Sequence, residues 1–206
     1  MRRYMIGKGI LLFAVVLLFS HCGSKTITVS SSLNTSEAAY TKARRLLASG
    51  SYAAAETAFR QALQINPNYA PAYEGLSRVA FEQGQTNQAI RHILMAKLKD
   101  AAYVPAWMLT AEIYRSAKQY TFAVTEYREA LTRDTDQLWV VDIYYDLAQT
   151  YEQMNDLEEA HETYMQVIML DPLHLEARAS VSRIRETLGT PFLMKLRFEN
   201  REEVLP

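Results

Sequence analysis

The sequence predicts an all-α solenoid of stacked helical hairpins, and three observations predict it. Ala55, Ala89, Ala123 and Ala160 recur at intervals of 34, 34 and 37, and a bulky residue follows each one four places later: Phe59, Ile93, Tyr127 and Tyr164. A second set of small residues, Ala43, Ser77, Ala111 and Ala148, recurs with the same steps. The chain of 206 residues is rich in strong helix formers and holds only 7 glycines and 6 prolines, a composition that disfavours a large central sheet. Units of this length cannot bury their apolar face alone, so they stack and leave a concave surface for binding.

Arg2, Arg3 and Lys8 precede an apolar run over residues 10–19, which has the length of an export-signal core and is short of the ~20 residues that span a bilayer. The single cysteine of the chain, Cys22, sits just past that run and is followed by Gly23. The arrangement resembles a bacterial lipoprotein signal over residues 1–21, with Cys22 as the lipidated mature N-terminus. Phe19 and His21 stand where that family prefers an aliphatic and a small residue, so an uncleaved signal anchor and an ordinary leader with an incidental cysteine remain as alternatives. Gly23, in the place where an Asp marks inner-membrane retention in that family, points to the outer membrane and the periplasm. Residues 22–35, small and hydroxylated after the cysteine, read as a flexible tether.

From residue 36 the periodicity organises the chain. Residues 36–69 carry Ala43 and Leu46 on a first helix, Gly50 at a turn, Ala55, Phe59 and Ala62 on a second helix, and Pro67 at the end. Residues 70–103, 104–137 and 141–174 repeat that order. Ala39, Tyr73, Trp107 and Tyr144 supply a larger first-helix position, and Ala62, Ala96, Ala130 and Val167 a small second-helix one. Small side chains at a helix crossing let two backbones approach while the bulky residue fills the space to the next pair. Asn66-Pro67 and Asp171-Pro172 stop a helix, because proline disfavours helical geometry in the residue before it. Lys118 and Asn155 stand at the turns where Gly50 and Gly84 stand in the first two repeats. The pattern resembles the tetratricopeptide repeat, which implies a solenoid of four helix-turn-helix units over residues 36–188. Leu138-Trp139-Val140 is an insertion expected to lengthen the first helix of repeat four, with Trp139 as an extra core residue.

Residues 175–188 read as a polar-faced helix that caps the last repeat. In the tail, 189–206, apolar residues at 192, 194, 196 and 198 alternate with Lys195 and Arg197, the pattern of a half-buried strand; a frayed continuation of the capping helix is the alternative.

Little in the chain suggests catalysis. His21, His92, His161 and His174 lack the spacing of a metal site, and neither a phosphate loop nor a nucleophile elbow is present. Asp156, Glu158 and Glu159 read as an ordinary acidic helix start. No cofactor, metal or small-molecule substrate is indicated. The net charge is −1, and removing Arg2, Arg3 and Lys8 leaves 19 basic side chains against 23 acidic, which disfavours nucleic acid as a partner.

The tetratricopeptide resemblance implies a groove lined by the first helices. Its inward positions hold Tyr40, Arg44 and Leu47; Glu74, Arg78 and Phe81; Met108, Glu112 and Arg115; Tyr145, Gln149 and Glu152. An apolar stripe flanked by guanidinium and carboxylate groups suits an extended or helical peptide. The Lys and Asn pairs of the chaperone-binding carboxylate clamp are missing. The expected role is a lipid-anchored adaptor in a cell-envelope complex, in a layout similar to tetratricopeptide pilotin and outer-membrane assembly lipoproteins. The alternative is a docking subunit of an envelope peptidoglycan hydrolase or protease.

Overall fold

Each repeat becomes an antiparallel pair of helices because its two apolar faces share one register. In the computed structural model, which describes residues 24–202 and the side chains of residues 35–189, α1 (Ser24–Ala48) pairs with α2 (Tyr52–Ile65), and α3 (Ala70–Glu82) with α4 (Thr86–Lys99). The same pairing joins α5 (Val104–Ser116) to α6 (Tyr120–Arg133) and α7 (Val140–Gln153) to α8 (Leu157–Leu170), and α9 (Leu175–Glu202) closes the stack. No strand occurs among the described residues. First helices touch across repeats, α1 with α3 and α3 with α5, to a degree that second helices do not reach. The array is therefore concave along its first helices. Leader residues 1–21 and Cys22 lie outside the described residues.

The expected knobs and holes are in place. Ala43, Ala55, Phe59, Ala62, Ala89, Ile93, Ala96, Ala111, Ala123, Tyr127, Ala130, Ala148, Ala160 and Val167 are fully buried. Ser77, the odd polar member, is buried too and donates its hydroxyl to the Ala89 carbonyl at 2.8 Å, which satisfies it inside its own hairpin. Phe59 goes one step further and lies flat against Gly75 of the next repeat, where an added Cβ would meet the Phe59 ring at 2.2 Å. That contact explains a glycine in the interior of α3, where helix propensity alone disfavours it.

All four turns inside the repeats have one geometry. Gly50, Gly84, Lys118 and Asn155 take φ values of 74, 73, 59 and 61°. In each, the next residue bonds back five places, as from Ser51 N–H to Leu46 O and from Gln119 N–H to Tyr114 O, both at 2.9 Å. This is a Schellman closure, which satisfies carbonyls left open at a helix end. Glycine adopts it freely, whereas a side chain there costs about 1–2 kcal/mol. The turns between repeats share a different device that the sequence pattern concealed. Asn66, Asp100 and Asp171 each accept the N–H two residues on, through side-chain oxygens at 2.9 to 3.1 Å.

Four expectations need correction. The insertion adds no helical turn: α7 begins at Val140, and residues 134–139 form a wider loop in which the buried Asp134 carboxylate accepts N–H bonds from Leu138 and Trp139 at 3.1 and 2.9 Å. Trp139 is consequently at the surface rather than in the core, 38% exposed beside Leu138 at 76%. The tether, 22–35, is helical from Ser24, since no proline or glycine interrupts residues 24–35 and adding to an existing helix is easier than starting one. The tail is helical to Glu202 rather than a strand. Its period-two signal was short, and Leu193 broke it.

The cap ends where expected. Ala177, Val181 and Ile184 are buried on one face of α9, while Arg178, Ser182 and Glu186 face solvent. Gly189, at φ 69° and ψ −164°, breaks the helix in a region that only glycine tolerates.

Gly75→Ala should lose about 1–3 kcal/mol in chemical denaturation despite alanine's better helix propensity, and Phe59→Leu in the same chain should recover part of that loss. Lys118→Gly, at an exposed turn, should gain about 1 kcal/mol by relieving the left-handed backbone.

Candidate functional site: the concave groove

The twelve groove positions lie on the inner faces of α1, α3, α5 and α7, three per repeat, because residues spaced by three and four share one side of a helix. Eleven are half-buried and Arg44 is exposed. Tyr40 and Leu47 pack against the core of repeats one and two, Phe81 against that of repeats two and three, and Met108 and Tyr145 against the core of repeats three, four and the cap. These residues form the floor of the groove.

Its charges form a ladder. Arg78 donates to Glu112 of the next repeat at 2.6 Å and lies 3.9 Å from Glu74 in its own helix. Arg115 donates to Gln149 of the following repeat at 2.8 Å and stands 3.7 Å from Asp146. Arg183 of the cap donates to Glu152 at 2.6 Å. Three guanidinium groups thus bind neighbouring units together. Arg78 and Arg115 are both engaged within the array. Arg44 differs. Among the described residues it makes no salt bridge, and its guanidinium carbon lies 5.8 Å from the Tyr40 ring centroid.

Glu74 sits between these two situations. Burial in the wall pushes its carboxyl up to about 7, against the pull of Arg78 and Arg44, although the side chain keeps 16% exposure toward the groove. Around it stand Tyr40 and Tyr103, whose hydroxyls burial also raises. The open end of the groove therefore combines aromatic rings, one exposed guanidinium and a carboxyl near its neutral form.

Tyr69 and Tyr103 were missed from the sequence. A signal was available, since they sit 34 apart at the last position of repeats one and two, and His174 ends repeat four. In the structure the last position meets the fifth of its own repeat: Tyr40 and Tyr69 pack edge to face at 5.5 Å between centroids, and Tyr145 and His174 pack tilted by 34° at 4.6 Å. Asp146 and Arg183 were missed as well; they lie one position off the groove register and outside the repeats respectively. Among the described residues no group of three or more His, Cys, Asp or Glu side chains is placed to hold a metal ion.

Comparison with known proteins agrees with this architecture. Two family models, each described as Tetratricopeptide repeat, match residues 46–113 and 105–171. The structure of Pseudomonas aeruginosa pilF superposes with a TM-score of 0.68 at 18% identity, over 75% of this chain and 69% of that one. MamA gives 0.60 at 21% identity, over 71% and 84%. A chain of the APC/C hetero-tetramer Cut9–Hcn1 gives 0.63 at 16%, over 73% of this chain and 30% of that one. At these identities the likeness is one of fold. No curated protein matches the chain. Two matched repeat models, four hairpins with one register and a capping helix make this chain a member of the tetratricopeptide-repeat family, whose solenoids serve as protein-docking scaffolds.

Proposed function

We propose that the protein is a lipid-anchored adaptor of the bacterial cell envelope, held by Cys22 at the outer membrane on its periplasmic side, and that a peptide or helix from a partner protein occupies its groove. The observation that carries the docking half is the division of labour along the groove wall. Arg78, Arg115 and Arg183 are engaged with neighbouring units, whereas Arg44 beside Tyr40, Glu74 and Tyr103 is exposed. An exposed guanidinium over the Tyr40 ring presents bidentate donors to a carboxylate and a flat apolar area to its neighbour. The fitting segment is acidic and apolar, entering at repeat one and following the floor of Leu47, Phe81 and Met108.

The anchoring half rests on the sequence: basic residues, an apolar core of signal length, and one cysteine directly after it. No described helix is long and apolar enough to cross a membrane; in this reading the attachment is an acyl group on Cys22. Each buried methylene contributes about 0.8 kcal/mol, and two or three chains hold a protein on a bilayer lastingly. The likeness to pilF and MamA is one of fold and does not identify the partner.

The test uses cells. A photocrosslinker at Leu47 should trap one protein that the same group at Leu94, on α4, does not, and Arg44→Glu should weaken that capture roughly tenfold, as loss of a charge-assisted contact of about 1.4 kcal/mol would. Labelled fatty acid should enter the native chain and not Cys22→Ser. Adducts confined to Leu94, or equal labelling of both chains, would contradict the respective half.

A further inference from the structure

One rim of the solenoid carries most of its exposed apolar surface. Antiparallel hairpins put every turn between repeats on the same rim, together with the N-terminal ends of all first helices. Of ten exposed large apolar side chains among the described residues, seven lie on that rim. They are graded along it. The first turn is Asn66-Pro67-Asn68, and the second adds Leu98. The widened third turn carries Leu138 and Trp139. At the fourth, Met169 and Leu170 end α8, while Leu173 and Leu175 flank the step into α9 and are 81% and 74% exposed.

Three acids at these turns are tied to their own loops, while Asp136 and Glu176 stay exposed. Asp100, Asp134 and Asp171 bond the backbone N–H groups of their own loops. The far half of the rim therefore sets exposed leucines and an indole among a few charges, the mixed composition of a surface that rests at a lipid headgroup boundary.

The way the chain leads into the fold says what covers it. Helix α1 enters from this same rim, and residues 24–35, twelve residues at 1.5 Å each, carry it about 18 Å beyond the repeat-one turn. The apolar run 10–19 and Cys22 precede that extension. We propose that the rim faces the bilayer that holds the acylated Cys22, with the array leaning so that the turns after α6 and α8 rest in the headgroup layer. The inference builds on the anchored reading given above. It adds an orientation: the concave groove then opens along the membrane surface, and the turns inside the repeats point away from it.

Trp139 can report this by difference, because the chain has only two tryptophans and Trp107, whose indole N–H donates to the Ala101 carbonyl at the second turn, is half-buried with Lys97 and Arg133 at 3.9 and 3.7 Å from its ring centroid. The native full-length protein, reconstituted into vesicles of phosphatidylethanolamine and phosphatidylglycerol containing a lipid spin-labelled near the headgroup, is floated and its emission recorded beside that of Trp139→Phe. The expected result is flotation with quenching of the native chain several-fold deeper than that of Trp139→Phe, and equal quenching of the two overturns the orientation. Flotation without quenching overturns the orientation and leaves the anchor intact. Failure to float overturns the anchor and the orientation with it. Trp139 protected from iodide by a bound protein but not quenched by the labelled lipid assigns the rim to a protein and also overturns the proposal.

Discussion

A bulky side chain from each second helix, seated against the small faces of neighbouring first helices, holds the array together. Phe59 against Gly75 is its tightest instance, and the sizes compensate along the stack: where the knob shrinks to Ile93, the register equivalent of Gly75 is Leu109, and both lie in one buried cluster. Packing at this density transmits position from one repeat to the next. A groove lined by four helices exists only because each helix is fixed relative to its neighbour by such a contact.

The charge ladder acts on that frame and does not create it. Its pairs keep partial access to water, so each contributes at most about 1 kcal/mol. Their value lies in geometry. Arg78 to Glu112 and Arg115 to Gln149 both span 34 residues; the first ties equivalent levels of repeats two and three, and the second, across the insertion, joins the third groove position of repeat three to the second of repeat four. The inserted loop shifts the step between repeats three and four, and α5 and α7 do not come together as α3 and α5 do. Arg115 bridges that step with contacts to both Asp146 and Gln149. The groove is stiff over its C-terminal half and open at Arg44.

Hairpins, register and turn positions were legible in the sequence because one periodic pattern encodes them redundantly. Lys118 and Asn155 could be placed at left-handed turns from their alignment with Gly50 and Gly84, although neither residue signals such a turn by itself. Features set by single side chains outside the period were not legible. The Asp134 carboxylate decides that the insertion is a loop, and nothing in Leu138-Trp139-Val140 announces an acceptor four residues upstream. The helical course of the tail escaped because four alternating residues are too few to separate a strand from a helix. In the groove, position was readable and pairing was not: Arg78 and Glu112 were both assigned inward, but their distance depends on how far one repeat turns relative to the next.

The account makes stability a property of neighbouring interfaces, so amide hydrogen exchange of the native full-length protein along its length tests it most directly. Slowest exchange is predicted in α3 to α6, which are flanked on both sides, with protection declining stepwise toward α1 and α9. Equal protection across all helices, lost together in one global opening, would contradict it.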